Sequence, residues 1–246
     1  MSTPEIVLVS VLICAVAAVY SCVGHAGASS YLAVMALIGV QPPAMKPAAL
    51  ILNIFVAAIA AVRFYGAGCF SWTLLWPFVI TSVPAALIGG LITLPGTMYR
   101  PILGIMLLVA AYRLFSPPRA AANVSLRAPP VAAALALGTV IGLVSGLIGV
   151  GGGILLSPIL ILARWADPRR TAGVSAAFIL ANSVSGLAGQ LAAHQHLPIL
   201  VVPWVVAAAA GGVLGSGLGS RRLGAQMLRR VLATVLIIAS IKFILI

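Results

Sequence analysis

The 246-residue chain is 63% hydrophobic and only 7% charged, and its net charge of +12 comes from 14 Lys and Arg against two acids, Glu5 and Asp167. Soluble domains carry about 25% charged residues, so the composition excludes a soluble fold and calls for an integral membrane protein; apolar runs of about 20 residues likewise exclude the alternating, roughly ten-residue strands of an outer-membrane barrel. The basic residues stand singly or in pairs at the ends of apolar runs, which fits anchoring to an anionic inner leaflet and excludes the basic patch that nucleic-acid binding needs.

In chain order, the first apolar helix is expected over 5–23. It lacks the positively charged start of a signal peptide, since Glu5 and Lys46 are the only charges ahead of Arg63, and reads as a retained span. Residues 24–29, Gly-His-Ala-Gly-Ala-Ser, interrupt the apolar pattern. A short apolar piece follows over 28–40, then full-length helices over 47–65, 72–93 and 99–115. Residues 116–129 are polar and proline-rich and read as a linker. The pattern then returns, with a helix over 130–148, a Gly-Val-Gly-Gly-Gly-Ile interruption at 149–154, a short piece over 152–163, and helices over 171–193, 198–219 and 227–246. Cys14, Cys22 and Cys69 have no metal-ligand spacing.

The two halves, 1–115 and 130–246, are therefore internal repeats. Gly24 maps to Gly149 and Gly27 to Gly152 at an offset of 125, Pro77 to Pro203 and Gly89 to Gly215 at 126, and Asn53 to Asn182 and Arg113 to Lys242 at 129. The direction of the halves depends on the short pieces. Twelve helical residues rise about 18 Å against about 30 Å of hydrocarbon. If the pieces are re-entrant, the halves are parallel and the basic residues divide nine to five. If they cross, the halves are inverted, and only Lys46, Arg100 and Lys242 fall on the side opposite the other eleven. The second split obeys the positive-inside rule better. It favours inverted repeats, each with four full-length helices and one short one, a cytoplasmic linker and both termini outside.

A broken membrane helix leaves backbone N–H and C=O groups that lipid cannot satisfy, so the break must be buried in protein or face water. The helix that starts after it presents free N–H donors and about half a positive charge. Glycine lets a ligand approach that backbone closely. Two such starts at matching places form an anion cradle, with Gly24, Gly27, Ala28, Ser29 and Ser30 in one half and Gly149, Gly151, Gly152 and Gly153 in the other. Gly138, Gly142, Gly146, Gly211 and Gly212 read instead as close helix packing. Asn53 and Asn182 lie in otherwise apolar helices. Each either bonds a neighbouring helix or points at the ligand. Ser175 and Ser185 are expected to bond their own helix. His25, whose counterpart is Val150, is the one titratable group at a break, and it is a candidate for proton coupling, neutral ligand contact or a structural role. Asp167 falls in a loop with Arg164, Arg169 and Arg170, where local charge pairing is expected. Paired catalytic carboxylates, a nucleophile elbow and metal-ligand clusters are absent from the sequence, so neither an enzyme nor a cofactor is expected.

Through these residues the chain resembles the TauE/SafE sulfite-exporter family, also called the toluene-sulfonate uptake permease family. The resemblance rests on Gly149-Val-Gly151-Gly152-Gly153 with Pro158, on Thr171-Ala-Gly173-Val-Ser175 and Asn182, and on their echo in Gly24-His-Ala-Gly27, Lys46-Pro47 and Asn53. It covers nearly the whole chain and implies transport of small sulfur-containing anions such as sulfite, sulfoacetate or other sulfonates. The expected protein is thus a multi-pass secondary carrier of the bacterial inner membrane. Its substrate site would lie between the repeats at Gly24, His25, Gly27, Ser29, Asn53, Gly149, Gly151, Gly152, Gly153 and Asn182. With no ATP-binding motif, energy would come from a substrate gradient, a coupling proton or sodium ion, or a partner. An anion channel is the alternative, and a membrane subunit without transport is a further one.

Overall fold

The structure, a computed structural model, describes residues 3–22, 24–115, 126–193 and 201–219, together with 237, 240 and 241. Among these the regular elements are nine α-helices: α1 (Thr3–Ser21), α2 (Ala28–Leu37), α3 (Pro42–Gly66), α4 (Trp72–Leu91), α5 (Gly96–Phe115), α6 (Val131–Ile148), α7 (Gly153–Leu162), α8 (Pro168–Ala192) and α9 (Val201–Gly219). Helices α3, α4, α6 and α8 are each long and apolar enough to cross a membrane. Both interruptions are real: α1 stops at Ser21 and α6 at Ile148, and two ten-residue helices start afresh beyond them. All but 237, 240 and 241 of the helix expected over 227–246, and most of the linker, lie outside the described residues, as do His194 and His196.

Four starts come earlier than expected: Thr3 rather than 5, Gly96 rather than 99, and, each at a proline, Pro42 rather than 47 and Pro168 rather than 171. Proline suits the first turn, where its missing N–H would have no partner anyway. At α8 the Asp167 carboxylate also caps the helix, accepting from the N–H groups of Arg169 (2.9 Å) and Arg170 (3.0 Å). The expected charge pairing is present too, at 3.6 Å to Arg170, but that pair is exposed and contributes little. Capping is the larger role.

Small residues set the packing. A Cβ on Gly138, Gly142 or Gly146 of α6 would run into the backbone of α4 at Phe78, Ser82 and Ala86 respectively. This close approach is what small residues allow between membrane helices. As numbering rises along α6 it rises along α4, so the two run parallel. Gly89 and Gly215, matched in sequence, do equivalent work: Gly89 lies against Leu143 and Leu147 of α6, and Gly215 against Ala18 of α1. Helix α8 also runs parallel to α4, with Ser185 bonded to the Val83 carbonyl and Gly189 against Leu87 and Leu91. Helix α9 runs parallel to α1 (Gly211 on Cys14, Gly215 on Ala18) and to α3 (Gly212 on Val56, Gly217 on Arg63). The central pair α3 and α8 is antiparallel, since Leu50 meets Gly186, Asn53 meets Ser183 and Phe64 meets Gly173.

These directions fix the course of the short helices. Because α6 and α8 both run with α4, the chain must travel back between them, and α7 lies on that return. By the same logic α1 and α3 both run with α9, and α2 lies on the return between those two. Helix α2 is buried from Ala28 to Ala36, and α7 buries Gly153, Ile154, Leu156, Ser157 and Leu160. Protein therefore shields most of α2, the start of α7 and the broken backbone from lipid, as the unsatisfied groups demand.

Candidate functional site

Each break is built by left-handed glycines. Gly24 and Gly27 have φ of 74° and 95°, and Gly149, Gly151 and Gly152 have 86°, 78° and 77°. L-residues reach this region at a cost of roughly 1–2 kcal/mol. Gly27 and Gly152 are the N-caps of α2 and α7, and neither helix start has a side-chain cap. The first intrahelical bonds run from Ser30 and Tyr31 to the Gly27 carbonyl, and from Leu155 and Leu156 to the Gly152 carbonyl. Among the described residues nothing accepts from the N–H groups of Ala28, Ser29, Gly153 and Ile154. Each start thus offers bare donors at the positive end of its dipole.

At the second break Gly149 ends α6 and lies 3.3 Å, measured from its missing Cβ position, from the Lys46 backbone of α3. The Asn53 amide, fully buried, donates to the Val150 carbonyl (3.3 Å) and to Ser183 Oγ (3.4 Å). Gly151 faces that same amide and Ser183, Gly152 faces Ile141 and Phe178, and Gly153 faces Ile179. Since Ile179 stands mid-way along α8, helix α7 starts near the middle of the bundle.

The first break is lined differently. Tyr20 OH lies 3.2 Å from Ser29 Oγ and accepts from Ser30 Oγ (3.0 Å), while Tyr31 OH donates to the Ala26 carbonyl. Gly24 presses against Ala172 in α8. His25 is half-buried, and its Nε2 lies 2.9 Å from Ser157 Oγ of α7, which in turn lies 2.7 Å from Ser175 Oγ of α8. Helix α7 is where the lines of contact converge. The glycines before it meet Asn53 of the first half, and Ser157, one turn along, meets His25.

The expected residues therefore fall into two clusters, His25 with Ser157 and Ser175, and Gly151 with Asn53, Ser183 and the Val150 carbonyl. Asn182 stands apart, because its amide donates to the Phe178 carbonyl of its own helix (2.9 Å). Asn53 Oδ1 and Asn182 Oδ1 are both buried without a donor, so each has acceptor capacity to spare. Ser175 and Ser185 do not bond their own helix as expected. Ser175 faces α7 and finds Ser157 there, and Ser185 faces α4 and finds Val83. Sequence reading did not single out Ser157 or Tyr20. A lone hydroxyl in the short apolar helix Gly153–Leu162 was the available signal for Ser157, whereas Tyr20 had none.

Comparison with known proteins agrees with this architecture. The model of the sulfite exporter TauE/SafE family matches residues 9–243. The chain is 41% identical over 232 residues to "Probable membrane transporter protein y4hK" of Sinorhizobium fredii (strain NBRC 101917 / NGR234), a match that covers 93% of this chain and 94% of that protein. No solved structure matches. A family match along nearly the whole length, on a bundle of apolar helices with two buried breaks, establishes that this chain belongs to the TauE/SafE family and is a multi-pass membrane transporter.

Proposed function

We propose that the protein is a secondary carrier of a small sulfur-containing anion, sulfite or a sulfonate, across the bacterial inner membrane. The observation that carries the reading is the pair of uncapped helix starts at Gly27 and Gly152, each beside contacts to the other half. Bare N–H donors in a buried, low-dielectric setting favour a negative charge. Neutral hydroxyls and amides around them, from Ser29, Ser157, Ser183 and Asn53, would orient an oxyanion without adding a competing negative charge. Asn182 would contribute its free Oδ1 once the ligand or water brings a donor.

The helix directions support inverted repeats. In the first half α1 and α3 run one way, and in the second half their counterparts α6 and α8 run the other way. Residues 1–115 and 130–246 would then be the two repeats, joined through 116–129. Rocking one repeat against the other about the α3–α8 contact would expose the site to each side in turn. His25, which bridges the first break to α7, would couple a proton to that motion.

Purified protein in proteoliposomes tests the reading. Uptake of labelled sulfite should saturate, be inhibited by sulfonates, and accelerate when unlabelled sulfite is inside. Non-saturating flux with a measurable unitary current would replace the carrier with a channel, and indifference to sulfur anions would reject the substrate class.

A further inference from the structure

Lys46 belongs to neither of the two clusters at the breaks. It lies one turn into α3, half-buried, and its backbone is the surface against which Gly149 packs, with Lys46 Cα and O 3.3 Å from where a Cβ on Gly149 would stand. Its ammonium sits 5.6 Å from the centroid of the Tyr99 ring. Tyr99 is buried, and its hydroxyl donates to the carbonyl of Ile148, the last residue of α6 before the break (3.2 Å). A chain of contacts therefore runs from the ammonium through the ring to the broken backbone. Lys46 and Asn53 are seven residues apart on α3, which places them on one face about 10 Å apart along the axis. Both abut the second break, Lys46 at Gly149 and Asn53 at Val150 and Gly151.

Among the described residues no carboxylate pairs with this cation. Asp167 pairs with Arg170, and among the described residues Lys46 has no ion-pair or hydrogen-bond partner, only the ring. A second polar group waits at the same level. Leu50 meets Gly186 across the antiparallel α3–α8 contact, so Lys46, one turn before Leu50, is level with Gln190, one turn after Gly186. Gln190 is 1% exposed, and neither end of its amide has a partner. An unpaired, half-buried ammonium abutting a backbone break, with an unsatisfied buried amide at its level along the α3–α8 contact, is unfavourable in a purely structural role. The arrangement becomes favourable when an anion arrives.

We propose that Lys46 is a substrate-selecting residue that receives the anion at the mouth of the second break and hands it to the backbone donors of α7, with Tyr99 holding the ammonium in position. This deepens the anion-carrier reading above and rests on it. The competing structural account is an interfacial lysine that lays its stem on the protein and keeps its head in water. That account predicts effects on insertion and none on substrate affinity.

The full-length protein reconstituted in proteoliposomes, with labelled sulfite as probe, separates the two. K46Q should raise KM for sulfite about tenfold, corresponding to about 1.4 kcal/mol, with turnover at saturation within about twofold of the parent, and K46R should return KM toward the parent value. To remove any question of folding, K46C is made in a background carrying Cys14→Ala, Cys22→Ala and Cys69→Ala. Treatment of the same vesicles with 2-aminoethyl methanethiosulfonate, which rebuilds an ammonium, should recover the low KM, and the neutral methyl reagent should not. An unchanged KM in K46Q, or equal behaviour with both reagents, overturns the role of Lys46 while leaving the carrier intact. Absence of saturable sulfite uptake by the parent protein overturns the carrier reading and this inference together.

Discussion

The two breaks share a scaffold and differ in lining. Both follow a full helix, turn on left-handed glycines and launch a ten-residue helix without a side-chain cap. The first then surrounds itself with side chains of its own half, Tyr20, Ser29, Ser30 and Tyr31, and reaches the other half through His25. The second carries almost no side chains of its own segment and is lined by both halves, through Ile141, Phe178, Ile179 and Ser183 of its own and Lys46, Asn53 and Tyr99 of the other. Each break presents the positive end of a helix dipole, and the linings differ in chemistry, with a histidine at the first and a lysine beside the second.

The largest expected effect lies in the glycines. At Gly24 an added Cβ would sit 2.5 Å from the Ala172 carbonyl oxygen and 2.6 Å from its Cα, so only backbone movement could relieve it. At Gly149 the nearest atoms, Lys46 Cα and O, are 3.3 Å away. Both positions have positive φ, which costs an alanine roughly 1–2 kcal/mol. Gly24→Ala should therefore abolish transport and reduce the yield of monodisperse protein, and Gly149→Ala should be tolerated better in both respects. Equal tolerance in uptake and size-exclusion assays would show that the first break is not clamped on α8.

Next come the matched asparagines, which the structure makes unequal. Asn53→Ala removes two donors and leaves the Val150 carbonyl in need of a partner, a loss of about 1–3 kcal/mol. Asn182→Ala removes only a bond to its own helix. Both substitutions should weaken sulfite binding while the protein still inserts, but only Asn53→Ala should lower the melting temperature clearly. Unaltered affinity in both variants would take the asparagines out of the site.

Much of this was legible in the sequence because it is periodic or punctuated. Glycine clusters in apolar runs announce where helices must stop, and the offset between Gly89 and Gly215 anticipates two equivalent packing contacts. What stayed hidden depends on which way a helix face turns. Asn53 and Asn182 match by position, yet one reaches across to the second break and the other folds back on α8. Ser175 and Ser185 lie on one helix, and only the arrival of α7 and α4 beside them decides their partners. Lys46 looks like one more interfacial cation until Tyr99, 53 residues later, is seen beneath it.

A subtler contrast concerns protons. His25 bonds Ser157 through Nε2, and its counterpart in the second half is Val150. His25→Gln preserves a polar contact with Ser157 but cannot titrate. If the first break couples a proton, uptake by this variant should persist and lose its pH dependence between about pH 5 and 8, where histidine changes charge. An unchanged pH profile would make His25 a structural bridge.

The smallest effect provides the baseline for the others. Asp167 caps α8 at its exposed start, whereas α3, its counterpart, begins after Gln41 with no side-chain cap. Asp167→Ala should cost about 1 kcal/mol, visible as a modest fall in melting temperature, and Asp167→Asn should recover most of it because the amide oxygen can still accept from Arg169 and Arg170. Neither should change KM for sulfite, since the cap lies eight residues before Ser175 and touches neither cluster. A shift in KM would mean that the entry of α8 moves with the substrate, and that the two long central helices, capped differently, are not equivalent pivots.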